Sequence, residues 1–321
     1  MTDLESAGPG GRPPGSPRSS LHDDPGILFD RVPCLAGTPR SITPLPGGLT
    51  NRNYKVTTPD GCFVARVWAD GDMLAIDRDH EHHNSVAAAA AGVGAPVLAY
   101  QPAEHVLVLG YLDGRTLGNA DVADPAMLPR IAGACRLLHA GPRFAGDFDM
   151  FQVQRRYLTV ATRRGFKIPD GYAALRPQVD AARRALAVRD EGTVPCNNDL
   201  LAANFIDDGE KIWLIDYEYS GNNDPCFELG NIAAEAKLPP DGLAELVRHY
   251  YGRALRSKIA RARILGLVGM YGWTLWGAIQ QASSPIQFDF WAWGMERFES
   301  AAAGLTSQEF GTLLDDVVSD D

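Results

Sequence analysis

Short strand-like runs broken by Gly, Pro, Asn and Asp fill positions 41 to 110, and beyond about position 126 apolar residues recur at helical spacing. Residues 53–56 and 62–68, joined across Pro59-Asp60-Gly61, read as a strand pair. Residues 106–109 and 212–215 read as short buried strands. The stretch 76–85 runs into alanines and predicts a helix by propensity. Helical patterns follow at 126–138, 152–163 and 175–188, and again from about 227 to 303. Residues 264–279 are almost uncharged, but they fall short of the roughly 20 apolar residues of a bilayer crossing and include Gly266, Gly269, Gly272 and Gly277. A buried helix is the expectation there, with no membrane span.

The first 25 residues are rich in Gly, Pro and Ser, cannot bury enough apolar surface to offset ordering entropy, and predict a disordered arm. They also lack the apolar core of a secretory signal. With 45% hydrophobic and 22% charged residues over 321 positions, the chain can build one large core or two modest lobes. A formal charge of −10 argues against nucleic acid or anionic lipid as a partner and mildly favours a cationic substrate. Cys34, Cys62, Cys135, Cys196 and Cys226 are odd in number and scattered, which predicts reduced thiols and a cytoplasmic protein.

Two segments carry candidate chemistry. Cys196-Asn197-Asn198-Asp199 runs on to Asn204, and Leu214-Ile215-Asp216 closes an apolar run. Phosphoryl transfer passes through a loose transition state, so a protein contributes mainly position and charge neutralisation. An Asp five positions before an Asn can give one loop both a base and a metal ligand. Asp199 is the candidate base. Magnesium takes hard oxygen donors, which suits the Asn204 amide and the Asp216 carboxylate. Asn and Asp also gather in turns, and only the joint pattern favours chemistry.

Pro46-Gly47-Gly48-Leu49-Thr50-Asn51 links two strand-like runs, and paired glycines let backbone amides approach a phosphate, although the same pair serves an ordinary hairpin. Trp273 and Trp276 lie three apart on a predicted helix and share a face. With Trp293 they can wall a quaternary ammonium group, which has no N–H to donate, and Glu235 can add neutralising charge. Core packing is the competing reading for these tryptophans. His80 and His83 lack a third ligand at sensible spacing and read as a polar helix face.

The loop and strand together resemble the choline and ethanolamine kinases and aminoglycoside phosphotransferases, small-molecule kinases with a protein-kinase-like fold. Asp199 and Asn204 fall on the Asp and Asn of that group's His-x-Asp-x-x-x-x-Asn loop, while Asn197 stands where the group has His. Asn still donates and accepts hydrogen bonds, so the implied change is weakened bracing of the loop with activity kept. Residues 215–224, Phe227-Glu228-Leu229-Gly230-Asn231 and Glu235 are similar to the second signature of choline and ethanolamine kinases. Trp273-Thr274-Leu275-Trp276, Gln280, residues 288–290, Trp293 and Arg297 are similar to their choline-site helices.

The resemblance implies an α+β, bilobal fold with a small antiparallel-sheet N-lobe and a larger helical C-lobe. It implies a nucleotide-binding lobe over 26–110, a catalytic and substrate-binding lobe over 111–321, and adenine at the crossing 110–114. ATP and Mg2+ are the implied cofactors, with Gly47, Gly48, Thr50, Asn51, Arg66 and Glu81 at the nucleotide and Glu81 holding Arg66 toward the phosphates. Asp199, Asn197, Asn204 and Asp216 form the implied catalytic set, with Asn204 and Asp216 on the metal, and Glu235, Trp273, Trp276 and Trp293 hold the substrate. The implied activity is phosphorylation of choline or a related amino alcohol such as ethanolamine. Another hydroxyl substrate, including an aminoglycoside, and a catalytically silent choline-binding protein are the alternatives.

Overall fold

The structure is a computed structural model that describes residues 24–69, 73, 74 and 76–320. The arm expected over 1–25 lies outside the described residues except for Asp24, which caps helix α1 (Pro25–Phe29), and Pro25, which opens it. Strands β1 (Ser41–Leu45), β2 (Arg52–Thr58) and β3 (Gly61–Val67) are followed by helix α2 (Arg78–Ala90), β4 (Val97–Gln101) and β5 (Val106–Gly110). The five strands form one antiparallel sheet in the order β1-β2-β3-β5-β4.

Alternation along β3 sets the first functional side chain. Ala65 and Val67 bury into a small core with Val56, Val106, Val108, Leu28 and Phe29. Arg66, between them, therefore projects from the opposite face. It lies mid-sheet, opposite Asn53 on β2 and Leu107 on β5. Helix α2 is capped by Asp77, which accepts the His80 N–H. Its Ala87 and Ala88 join the larger, second core, so this helix ties the sheet to the remainder of the chain.

That remainder runs β6 (Arg115–Thr116), α3 (Asn119–Val122), α4 (Leu128–His139), α5 (Met150–Arg164), α6 (Arg176–Leu186), β7 (Val194–Cys196), β8 (Phe205–Asp207), β9 (Ile212–Leu214), β10 (Gly221–Asn223), α7 (Pro225–Glu235), α8 (Pro240–Tyr251), α9 (Arg256–Ser283), α10 (Phe290–Leu305) and α11 (Glu309–Asp316). Strands β6-β8-β9 and the pair β7-β10 form two small sheets that present the loop after β7 and the loop after β9 side by side. The 28-residue α9 is the central post, buried along nearly all of 260–280 and packed on α7, α5 and α10. Its glycines are contact points: a Cβ on Gly266 would lie 2.6 Å from the Gly230 carbonyl oxygen of α7, and one on Gly277 would lie 2.9 Å from Gly294 Cα of α10. Among the described residues no helix is long and apolar enough to cross a membrane. All five cysteines are free thiols.

Candidate active site

A cleft of about 330 Å³ lies between the five-stranded sheet and the β8–β9 hairpin. Val64, Ala95, Leu107, Leu109, Ile206 and Leu214 give it apolar walls, Tyr111 and Leu112 form its rear edge, and Gly47 and Gly48 its roof. Arg66, Asn204 and Asp216 all line it. The roof needs both glycines. Gly47 has φ +99°, and a Cβ on Gly48 would sit 2.2 Å from the Asn51 carbonyl oxygen.

Arg66 is the electrostatic centre. Its Nη2 lies 2.7 Å from Asp216 Oδ1, 3.1 Å from Glu81 Oε1 and 3.7 Å from Glu218 Oε2. Burial works against its charge, but Asp216, Glu81 and Glu218 outweigh that and hold the guanidinium protonated more firmly than usual. Its Nε is buried without a hydrogen-bond partner among the described residues. An anionic ligand in the cleft would supply that acceptor, so the donor set fits a nucleotide phosphate.

Thr50 and Asn51 do something the sequence did not suggest. Thr50 Oγ1 donates to Glu218 at 2.7 and 2.9 Å, and Asn51 Nδ2 donates to the same carboxylate at 2.8 Å. Their side chains pin the glycine hairpin to the segment after β9. Gln280 Nε2 adds a bond to the Leu49 carbonyl at 3.2 Å, anchoring the hairpin to α9 as well.

The loop after β7 is held both by bonds within its own turns and by neighbouring segments. Asn197 Nδ2 donates to the carbonyls of Ile215 (3.1 Å) and Asp216 (2.9 Å), and its Oδ1 accepts the Asp199 N–H (3.1 Å). Asn197 thus bridges the loop to the segment that follows β9. Asn204 Nδ2 donates to the Asp199 carbonyl at 2.7 Å, which commits the amide nitrogen and leaves Oδ1 as the end for a cation. Below, the fully buried Glu228 of α7 accepts the N–H groups of Asn197 (3.0 Å) and Asn198 (2.9 Å). Asn198 and Asp216 both adopt positive φ, at 68° and 66°, conformations that short polar side chains tolerate best.

On the other side of Asp199, aromatic rings of α9 and α10 gather around Tyr219. Trp273 meets Tyr219 edge-on at 5.1 Å, and Trp276 Nε1 donates to the Tyr219 hydroxyl at 2.7 Å. Trp276 also lies 4.8 Å from Trp293. Arg297 changes the expected picture here. Its guanidinium sits 3.3 Å from the centre of the Trp293 ring and engages both oxygens of Glu235. One face of Trp293 and the charge of Glu235 are therefore already met by the protein's own cation. Tyr219, Glu218 and Glu228 were not assigned from sequence, although each lies within or beside the second signature.

Asp199 stands where the two sides meet. Burial raises its proton affinity most, Asp216, Glu235 and Glu218 raise it further, and Arg297 opposes them. Burial also lifts Glu228 and Glu218 to about 7, with Asp216 adding to the effect on Glu218. Folded protein then keeps protons that unfolded chain releases near 4.5, so stability falls as pH rises between about 4.5 and about 7. The urea midpoint of ligand-free protein is expected to drop from about pH 5 to about pH 7.5, and Glu228→Gln, which cannot ionise, is expected to show a shallower drop. A midpoint that climbs over this range would contradict the assignment.

A family model described as choline/ethanolamine kinase matches residues 42–240. The chain is similar to ethanolamine kinase 2 of Rattus norvegicus, 27% identical over 334 aligned residues that cover 89% of this chain and 85% of that protein. Among solved structures it is similar to a choline/ethanolamine kinase family protein from Mesorhizobium loti, at 32% identity and a TM-score of 0.81 over 93% of this chain and 99% of that one. A thermostable mutant of aminoglycoside phosphotransferase APH(4)-Ia shares the fold at 17% identity and a TM-score of 0.61, over 83% of this chain and 96% of that one.

Proposed function

The chain belongs to the choline/ethanolamine kinase family, and from that premise we propose that it transfers a phosphoryl group from ATP to the hydroxyl of an amino alcohol such as choline or ethanolamine. One observation carries this reading. Arg66, Asn204 and Asp216 line one cleft, and the Asp199 backbone is tied to that cleft twice, its N–H through Asn197 to the Asp216 carbonyl and its carbonyl to the Asn204 amide, so the candidate base is held beside the candidate metal ligands.

The cleft takes the nucleotide, with its base against the apolar walls and its phosphates under Gly47 and Gly48 near Arg66 Nε. Asn204 Oδ1 and the Asp216 carboxylate would hold magnesium, whose charge stabilises the phosphoryl oxygens when it is bound. Asp199 orients the acceptor hydroxyl and takes its proton. Its raised proton affinity makes it a stronger base than an exposed carboxylate. Tyr219, Trp273 and Trp276 attract the cationic head by their ring faces.

The test is magnesium-dependent ADP release with a panel of acceptors. Saturable release with choline or ethanolamine, and none with kanamycin, is the expected result. Release with kanamycin alone would overturn the substrate class. Binding of an amino alcohol without any turnover would make the protein a silent binder.

A further inference from the structure

Strand β2 alternates as β3 does. Val56 is fully buried in the small core and Tyr54 packs against it, so Asn53 projects from the other face, toward the cleft that it lines. It stands directly opposite Arg66 in the β2–β3 register, which makes the two side chains nearest neighbours across the strands. Asn is among the residues least suited to a strand, and an apolar side chain would wall this side of the cleft as well.

Among the described residues the Asn53 amide makes no hydrogen bond. Its Oδ1 is shut off from solvent without a partner. Its Nδ2 is not shut in, and it lies under the roof, where a Cβ on Gly48 would stand 3.1 Å from it. Across the strands, Arg66 Nε is a second donor that the chain leaves unmet. Charge gives a neutral donor a particular value at this place. Arg66 and Arg78 together face three carboxylates, Asp216, Glu81 and Glu218, at 3.7 Å or less, so their positive charge is already answered inside the protein. An N–H aimed between the roof and Arg66 holds a phosphate oxygen without disturbing that network.

We infer that Asn53 is a further nucleotide-binding residue, whose Nδ2 donates to a phosphate oxygen under the glycine roof, beside the oxygen that Arg66 Nε takes. The inference rests on the nucleotide reading of the cleft given above. It sets Asn53 apart from the apolar walls Val64, Leu107 and Leu109. Those walls hold a nucleoside and a nucleotide alike, whereas Asn53 acts only on a ligand that carries phosphate.

The experiment titrates adenosine, ADP and ATP, each with magnesium, into the native full chain and into Asn53→Leu and Asn53→Asp by calorimetry. Asn53→Leu keeps the volume and removes the donor. It is expected to raise the Kd of ATP and of ADP about tenfold, the factor that one hydrogen bond to a charged group supplies, and that of adenosine by less than about twofold. Asn53→Asp sets a negative charge beside the phosphates and is expected to weaken ATP more than Asn53→Leu does, again sparing adenosine. Without ligand, Asn53→Leu is expected to melt no lower than the native chain, because it replaces an amide that has no partner. If Asn53→Leu does not fold, Asn53→Asp decides alone. A loss shared equally by adenosine and ATP overturns the inference and assigns the amide to the sugar or to packing. ATP affinity within about twofold of native in either folded variant overturns it too, and leaves the kinase reading intact. No nucleotide binding by the native chain overturns the nucleotide reading and this inference with it.

Discussion

Replacing Asp199 with Asn is expected to lower kcat by about a thousandfold, within the range a general base contributes, while nucleotide affinity changes less than about twofold. The substitution is selective because the backbone of Asp199 carries the loop geometry. Its N–H donates to Asn197 Oδ1 and its carbonyl accepts from Asn204 Nδ2, so the carboxylate is not what keeps the loop in place. Asn fills nearly the same volume but loses the negative charge and with it the capacity to take a proton. Steady-state rates with ethanolamine and choline, alongside calorimetric titration with ATP and magnesium, separate the two effects. Activity within tenfold of the native chain would remove Asp199 from the chemistry, and a parallel loss of nucleotide binding would assign it to the cleft.

Asp216→Asn is expected to reduce turnover by at least about a thousandfold and to abolish the gain in nucleotide affinity that magnesium brings. Asn tolerates the φ of 66° at this position better than most other non-glycine residues, so the fold is expected to survive. Two things disappear together: a hard anionic oxygen beside Asn204, and the negative charge of the 2.7 Å ion pair with Arg66. Nucleotide titrations with and without magnesium distinguish them. If magnesium still tightens nucleotide binding in the variant, the metal is held elsewhere.

Much of the architecture was legible because it depends on local pattern. The strand pair around Pro59-Asp60-Gly61, the helix after the alanine run and the long buried helix that includes 264–279 follow from period, propensity and turn residues. The Asp199, Asn204 and Asp216 set could be proposed from sequence because phosphoryl-transfer chemistry constrains such spacing along one loop and one strand end, and the structure brings Asn204 and Asp216 to one cleft with the Asp199 carbonyl bonded to Asn204. Other parts depend on tertiary partners and were not legible. Nothing local shows that Thr50 and Asn51 turn toward Glu218, 168 and 167 positions away. Nothing local shows that Arg297 occupies Glu235 and a face of Trp293 from 62 and four positions away. Helix α1 lay at the edge of a stretch whose Gly, Pro and Ser content predicts no helix; an Asp cap, Pro25 in the first turn and burial of Leu28 and Phe29 under the sheet are enough to form it. Asn53 was visible only as one letter of a strand, because an unmet amide shows only when its surroundings are assembled.

The touching backbones of α7 and α9 at Gly230 and Gly266 fix how far Glu235 stands from the tryptophans. No side chain intervenes there that could be trimmed. Anyone seeking to admit bulkier alcohols by mutagenesis would gain nothing at that inner end, where any added atom pries the helices apart. The same close approach recurs between α9 and α10 at Gly277 and Gly294, so on the proposed reading a wider acceptor site has to come from trimming the rings of Trp276 and Trp293 and not from parting helices.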